Sequence, residues 1–306
     1  MFALRCIVGP AFVDLLLQLL ATGLVVGSLY ALCAIGWGLI YGTTLHFHVA
    51  HGAVFSLAAY FAYVGQQLLH LPLALAVLGA IVAAAVCGLL IDLLLYQQLE
   101  RRGAYRTSLF IASLGLLILV ENVLAIVFTP DPMRMDIGVL NTAITIGPVF
   151  LTYLHVLTVA ITVVGYVALM LFLQRSRWGQ AIRAVSSAPE MARTVGIDLR
   201  RVHLLTYALG SAIAAPAGIL VAMDVGAEPF RGTRFVLLAS VGVIMGGIGS
   251  IPGALIGGLF LGLLENLGIW KLPSEWQSAI SFGVFLLFIV LRPRGFFGRS
   301  VQSAEI

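Results

Sequence analysis

Charged residues are scarce in this chain of 306 residues: Asp, Glu, Lys and Arg make up 10% of it, against 61% hydrophobic residues. The mean hydropathy is +1.07. A water-soluble domain usually carries about a quarter charged residues, which it needs to cover its surface. The composition therefore excludes a soluble globular protein. It indicates an integral membrane protein in which residues 1–306 form a single transmembrane domain.

Cysteine is also rare, and Cys6, Cys33 and Cys87 lie far apart without a Cys-x-x-Cys spacing. This pattern excludes a disulfide framework and a cysteine-based metal site. Three histidines, at positions 46, 48 and 51, lie closer together, but their spacing fits neither an HExxH helix nor a Cys/His zinc framework. We expect polar groups at a helix break. A membrane enzyme built around these histidines is the weaker alternative.

A nucleotide-binding loop is missing as well. The glycine-rich stretch Gly246-Gly247-x-Gly249 is not followed by Lys-Ser or Lys-Thr, which a phosphate-binding loop requires. We therefore expect no catalytic residue, no metal and no cofactor in this chain. Any ATP-driven activity would take its energy from another subunit.

Nine apolar runs approach the roughly 20 residues that a helix needs to cross about 30 Å of hydrocarbon. They are 13–41, 52–66, 71–96, 108–128, 150–173, 204–224, 235–247, 253–268 and 276–291. The sequence thus predicts an all-α fold, a polytopic transmembrane helical bundle with eight or nine membrane segments. The runs 52–66, 235–247 and 253–268 are short and lie beside clusters of Gly and Pro. Such segments are typical of broken or re-entrant helices along a transport path, and also of helices that pack closely through small residues.

The main polar interruption, residues 174–203, carries six arginines that only Glu190 and Asp198 oppose. Basic loops between membrane spans remain on the cytoplasmic side. The loop 129–149, with two aspartates and one arginine, is then expected outside. Because membrane topology explains these arginines, we infer no nucleic-acid partner.

Four acidic residues, Asp92, Glu121, Asp224 and Glu265, fall within or at the ends of apolar runs. A charge at the centre of a membrane helix costs about 2.5–3.5 kcal/mol, so each needs a physical reason. Asp92 and Asp224 lie near run ends, and we expect them to reach the membrane surface. Glu121 and Glu265 lie deeper, and each either pairs with a neighbouring helix or serves as a proton-relay carboxylate.

A set of motifs runs in consistent order from about residue 15 to 299. They are Gly27-Ser28-Leu29-Tyr30-Ala31-Leu32, Tyr41-Gly42, Ala50-His51-Gly52, Trp178-Gly179-Gln180-Ala181-Ile182-Arg183-Ala184, Ala192, Gly196-Ile197, Gly246-Gly247-Ile248-Gly249-Ser250, Gly253-Ala254, Gly257-Gly258, Gly262 with Glu265, and Arg292-Pro293-x-Gly295-x-Phe297-Gly298. Together they resemble the leucine/isoleucine/valine-type permease subunits of branched-chain amino acid ABC transporters.

The resemblance implies one permease subunit of an ATP-driven importer in a bacterial cytoplasmic (inner) membrane. It implies two cytosolic ABC ATPase subunits that bind ATP and Mg²⁺. It also implies a second, homologous permease subunit and an extracytoplasmic substrate-binding protein that delivers a small-molecule solute. Within this family pattern the loop 174–203 couples the ATPases to the pathway.

The residue patterns above and the resemblance together give the candidate residues. Those for ATPase coupling are Trp178, Gly179, Arg183, Ala184, Ala192, Gly196 and Ile197. Those for the pathway or its gate are His48, His51, Gly52, Glu121, Gly246, Gly247, Gly249 and Glu265. The apolar side chains of Trp178, Ile182, Met191 and Ile197 are expected to fill pockets on the ATPase.

The chain departs from the family pattern Asn-Phe-Ala-His-Gly-Glu/Asp, because His48, Val49 and Ala53 replace the amide, the aromatic ring and the acid. Urea, short amides and aromatic acids are therefore alternative cargoes to branched-chain amino acids. An ion-coupled secondary transporter that uses Glu121 or Glu265 is the alternative function.

Overall fold

A computed structural model describes residues 10–270, 273–292 and 295–297. In chain order the helices are α1 Pro10–Thr44, α2 His51–Tyr63, α3 Leu73–Ile91, α4 Gln97–Arg101, α5 Arg106–Phe128, α6 Tyr153–Arg175, α7 Arg177–Ser187, α8 Pro189–Thr194, α9 Leu199–Val225, α10 Arg231–Gly246, α11 Ile251–Gly268 and α12 Gln277–Leu291. A π-helical stretch, Val64–Leu68, extends α2, and another, Asp92–Tyr96, joins α3 to α4. Gly138–Asn141 and Ser274–Trp276 are short 3₁₀ turns.

The prediction of an all-α polytopic bundle is confirmed. Each of the nine apolar runs coincides with a helix, and within the described residues six continuous helical stretches are long and apolar enough to cross a membrane. The other three runs form the shorter helices α2, α10 and α12, of 13, 16 and 15 residues. The outer loop also contains a feature that the sequence did not predict, the antiparallel hairpin of β1 Ala143–Ile146 and β2 Val149–Thr152.

Two long helices, α1 and α9, form the centre of the bundle. They contact each other, and α1 also contacts α6, α10 and α11, while α9 contacts α2 and α3. The sides of α3, α5 and α6 that face away from this centre expose large apolar residues such as Val82, Ile126 and Val164. Apolar side chains are stable there because the surrounding solvent is hydrocarbon.

Glycines allow α10 and α11 to approach backbone to backbone. An ideal Cβ on Gly257 would lie 1.9 Å from the carbonyl oxygen of Gly242, and one on Gly246 would lie 2.0 Å from that of Gly253. Side chains at these positions would force the two helices apart. Small-residue packing, one of the two interpretations of the short runs, therefore applies to this pair.

Short helices that begin inside the bundle are the second interpretation, and α2 and α10 fit it. An ideal Cβ on Gly52, in the first turn of α2, would lie 2.7 Å from the carbonyl oxygen of Gly232, in the first turn of α10. The Ser56 hydroxyl accepts a hydrogen bond from the Gly232 amide at 3.2 Å and donates one to the Pro229 carbonyl at 3.0 Å. From this contact α2 runs towards the loop 129–149. The Tyr60 hydroxyl lies 3.5 Å from the carbonyl of Ala227, which pairs with Met133 of that loop. The other helix, α10, runs to the opposite side.

We expect Gly257→Ala to lower the thermal unfolding temperature of the detergent-purified protein, because its methyl group meets the backbone of α10. Overpacking of this kind costs about 1–3 kcal/mol. The matched control is Gly283→Ala in α12, where an added Cβ has no neighbour within 4 Å among the described residues. Equal unfolding temperatures for the two variants would contradict the close packing of α10 on α11.

Candidate functional site

The first break comprises residues 45–50, between α1 and α2, and Leu45 enters it with a φ of 58°. Its backbone is fixed from two helices. The Trp37 indole of α1 donates to the His48 carbonyl at 3.1 Å, and the Ala50 amide donates to the Ser113 hydroxyl of α5 at 2.8 Å. Side chains thus replace the hydrogen bonds that a continuous helix would supply.

The histidines at this break belong to a buried polar cluster. His48 Nδ1 is 2.7 Å from the Tyr96 hydroxyl, and His46 Nδ1 is 3.2 Å from the Tyr207 hydroxyl. On its other side, His46 Nε2 lies 3.2 Å from the carboxylate of Glu100, which is 40% exposed. The cluster therefore connects the break to α4 and α9.

His51 differs from the other two histidines because it is fully buried beside His48, with ring centres 5.6 Å apart. Within the described residues, neither of its ring nitrogens has a side-chain or backbone hydrogen-bond partner that meets ordinary geometry. The described part of the chain contains no group of three His, Cys, Asp or Glu side chains placed to hold a metal ion. The geometry is that of a hydrogen-bonded and packed cluster.

Glu121 lies in α5 and caps the N-terminus of α10. One carboxylate oxygen accepts hydrogen bonds from the Thr233 amide at 2.9 Å and from the Thr233 hydroxyl at 2.8 Å. Thr233 is in the first turn of α10, where amides have no partner inside the helix and the helix dipole favours a negative charge. Of the two interpretations for Glu121, pairing with a neighbouring helix is the one that the geometry supports.

Glu265, at the end of α11, is fully buried and forms an ion pair with Arg234 of α10 at 2.8 Å. The Arg234 side chain is 47% exposed, and its guanidinium also donates to Gln277 of α12 at 3.3 Å. Sequence analysis missed Arg234 because it directly precedes the run 235–247. The signal available in the sequence was a cation immediately before a short apolar run.

The other two acids behave differently from each other. Asp92 is only 2% exposed and accepts a hydrogen bond from Gln97 at 2.8 Å, so the expectation that it reaches the membrane surface is wrong. It continues the buried stripe of α3, in which Ala76, Ala80, Ala84 and Gly88 recur at every fourth position. Asp224 is 43% exposed and lies 3.5 Å from His155, as expected for a residue near the surface.

The second break joins α10 to α11 through Gly247 and Gly249, whose φ angles of 108° and 81° strongly favour glycine. Gly246 ends α10, and its carbonyl accepts a hydrogen bond from the Phe297 amide at 2.9 Å, while the Met245 carbonyl accepts one from Phe296 at 2.8 Å. The C-terminal segment thereby satisfies carbonyls that the end of α10 leaves free. Pro293 and Gly298 of the closing motif lie outside the described residues.

The loop 174–203 folds into α7 and α8 and the beginning of α9. Gly179, Ile182 and Val185 form the buried face of α7, and an ideal Cβ on Gly179 would lie 2.4 Å from the Leu173 Cα. Ala192 of α8 is buried as well. The expectation that Ile182 fills a pocket on a partner is therefore wrong, because it is 2% exposed within its own bundle.

The exposed surface of α7, of α8 and of the turn after it, called the outer face below, combines apolar and basic residues. Trp178, Met191 and Val195 are 49%, 73% and 76% exposed, and Arg183 and Arg193 are exposed as well. Val195 was missed by the sequence analysis. Among the remaining coupling candidates, Ala184 and Ile197 are half-buried in the bundle, and Gly196 ends α8 with a φ of 86°.

A hydrogen bond joins α7 to the last turn of α1, which lies next to both breaks. The Ser186 hydroxyl donates to the Gly42 carbonyl, near the end of α1, at 2.6 Å. Gly42 is two residues before the end of α1, and an ideal Cβ on it would lie 3.3 Å from the Cα of Gly249 in the second break. A displacement of α7 would therefore act on the last turn of α1. This turn precedes the first break in the chain and lies against Gly249 of the second break.

Comparison with known proteins gives a consistent result. The family model described as "Branched-chain amino acid transport system / permease component" matches residues 19–289. The high-affinity branched-chain amino acid transport system permease protein BraD of Pseudomonas aeruginosa is 33% identical over 298 residues, which cover 92% of this chain and 96% of BraD. LivH of Escherichia coli K12, with the same description, is 31% identical over 297 residues, with the same coverage.

More distant similarities were also found. The ribose import permease protein RbsC of Escherichia coli K12 is 28% identical over 196 residues, which cover 61% of this chain and 60% of RbsC. A chain of PsaBC from Streptococcus pneumoniae, solved in complex with Fab, matches 92% of this chain and 91% of its own length with 12% identity and a TM-score of 0.45. The curated relatives are transport permeases and not enzymes. The chain belongs to the family of branched-chain amino acid transport system permease components and is a multi-pass protein of the inner membrane.

Proposed function

We propose that this chain forms the translocation pathway of an ATP-driven importer together with a second, homologous permease subunit. Branched-chain amino acids are the proposed cargo, because BraD and LivH are permease proteins of branched-chain amino acid transport systems. Two cytosolic ATPases bind ATP and Mg²⁺ and drive the cycle, and an extracytoplasmic binding protein delivers the solute. The observation that carries the proposal is that α7 is exposed on one side and contacts the end of α1 through Ser186.

The outer face of α7 and α8 has the composition of a protein interface. Trp, Met and Arg are enriched at interfaces, and Trp178, Met191 and Arg183 are all exposed there. Groups of exposed apolar side chains outside the hydrocarbon often mark a site of interaction with another protein. An ATPase groove with an acidic rim would meet both the apolar and the basic side chains of this face.

The inner face of α7 provides the route for motion. Gly179 allows α7 to contact the last turn of α6, and the whole helix packs against α1, α6 and α9. A helix so fixed moves as a rigid body with its neighbours, as subunits and helices do in known switching transitions. Through Ser186 and Gly42 the motion reaches the end of α1, from which the first break starts.

The pathway candidates His48, His51 and Gly52 lie at the inner end of α2, and Gly246, Gly247 and Gly249 lie at the inner end of α10. Broken helices of this kind place irregular backbone along a transport path. We propose that the two breaks change conformation when α7 moves. Glu121 and Glu265 keep the first turn of α10 in place through Thr233 and Arg234.

We expect Arg183→Glu to reduce co-purification of the ATPase subunits and uptake of labelled leucine by about tenfold, which corresponds to about 1.4 kcal/mol of lost association energy. The reason is that a reversed charge would face the acidic rim. Arg102→Glu is the matched control, because Arg102 is also exposed on the cytoplasmic side but lies after α4. Normal co-purification and uptake for Arg183→Glu, with normal membrane levels of both variants, would refute the coupling assignment.

A second pair of variants separates the proposal from ion-coupled transport. Glu121→Gln keeps an acceptor for the Thr233 amide, so we expect uptake within about twofold of the original protein, and uptake should persist with a protonophore when ATP is maintained. Glu121→Ala removes the cap, and we expect a loss of about 1–2 kcal/mol of stability, measured by thermal unfolding. If Glu121→Gln abolishes uptake while its unfolding temperature is unchanged, the carboxylate has a role in ion coupling and the proposal is wrong on this point.

A further inference from the structure

An apolar groove runs along the side of the bundle between α6 and α9, with α1 at its base, and encloses about 360 Å³. Its lining is Leu32, Ile161, Gly165, Ala168, Leu169, Phe172, Leu209, Ala212, Ile213 and Pro216. Gly165 leaves its centre open: an ideal Cβ there would meet only a Leu32 methyl group, at 3.5 Å.

The dimensions of the groove match one lipid tail. Its lining on α6 extends from Ile161 to Phe172, which at 1.5 Å per residue is about 16 Å. One leaflet of a bilayer has about 15 Å of hydrocarbon. A helix about 10 Å wide and of the same length would occupy roughly 1,200 Å³, so a helix of another protein could lie across the groove but not within it.

The charges at one end of the groove match a lipid headgroup. Ile161, Gly165, Ala168 and Phe172 follow one another at helical spacings of three and four residues, and Arg175 continues the same stripe. Arg177 comes two residues later, and both arginines are exposed at the cytoplasmic end of α6. Neither forms an ion pair with another residue in the described part of the chain.

We propose that this groove binds the acyl chain of an anionic phospholipid of the inner leaflet, with the phosphate at Arg175 and Arg177. Basic residues near the cytoplasmic surface attract anionic lipids, whereas apolar walls alone do not distinguish one lipid from another. Selectivity therefore comes from the headgroup, and position comes from the fit of the tail. Because α7 packs against α1, α6 and α9, the lipid would lie directly beside the helix that we assign to ATPase coupling.

The test uses the full-length chain in the complex in which it is extracted, reconstituted into phosphatidylethanolamine vesicles. The probes are phosphatidylglycerol and phosphatidylcholine that carry the same photoactivatable acyl chain, with crosslinked peptides mapped by mass spectrometry. We expect phosphatidylglycerol to label the groove residues of α6 and α9 more strongly than phosphatidylcholine does. Arg175→Ala should reduce labelling by phosphatidylglycerol about fivefold and leave labelling by phosphatidylcholine unchanged.

Ala168→Phe fills the groove and should remove the labelling with both probes. Val163→Phe is its matched control, because Val163 is 55% exposed on the same helix but does not line the groove. Equal labelling of the groove by the two lipids, or labelling spread evenly over the lipid-facing helices, would overturn the proposal. Absence of groove labelling together with loss of the second permease subunit in Ala168→Phe would assign the groove to a subunit interface instead, and would also overturn it.

Discussion

Hydrocarbon offers no hydrogen-bond partner, and this constraint governs the arrangement of the helix ends within the bundle. A helix that crosses without interruption satisfies its own backbone, but a helix that begins or ends inside the bundle exposes free amides or carbonyls. The chain supplies partners for these groups from distant segments. Glu121 of α5 receives the Thr233 amide of α10, and the C-terminal segment donates to the end of the same helix. The first break is held in the same way by Trp37 and Ser113.

The constraint explains why polar residues and glycines occur together here. A broken helix needs side-chain partners at its end, and those partners reach it only if the neighbouring backbones are close. Gly52 and Gly232 allow that approach for α2 and α10, and Ser56 then satisfies the amide between them. Without the glycines the side chain could not reach the free amide, and without the side chain the amide would have no partner. The breaks are therefore properties of pairs of helices and not of single segments.

Much of the fold could be predicted from the sequence, because the length of an apolar run is set directly by the thickness of a membrane. All nine runs became helices, and the basic loop became the separate pair α7 and α8. The site was less predictable, since its partners lie far apart along the chain: 112 residues separate Glu121 from Thr233.

Ile182 shows a second limit of prediction from the sequence. Its position on an amphipathic helix indicates burial, but periodicity does not say whether the partner is the same chain or another. Asp92 was misplaced because its burial depends on the face of α3 that it shares with Ala84 and Gly88 and not on its distance from the end of the run.

The contact between Gly52 and Gly232 also has a mechanical meaning. Two bare backbones fix how close the helices lie but do little to fix the angle between them, so the contact works as a pivot. From Gly52 to the end of α2 at Tyr63 there are 11 residues, or about 16 Å of helix. A tilt of about 10° at the pivot would move the outer end by roughly 3 Å, about the diameter of a water molecule, but would move Ser56, about 6 Å from Gly52, by only about 1 Å. The short helix would thus act as a lever, and the part that moves most would be its outer end, where Tyr60 and Tyr63 pack against Phe128.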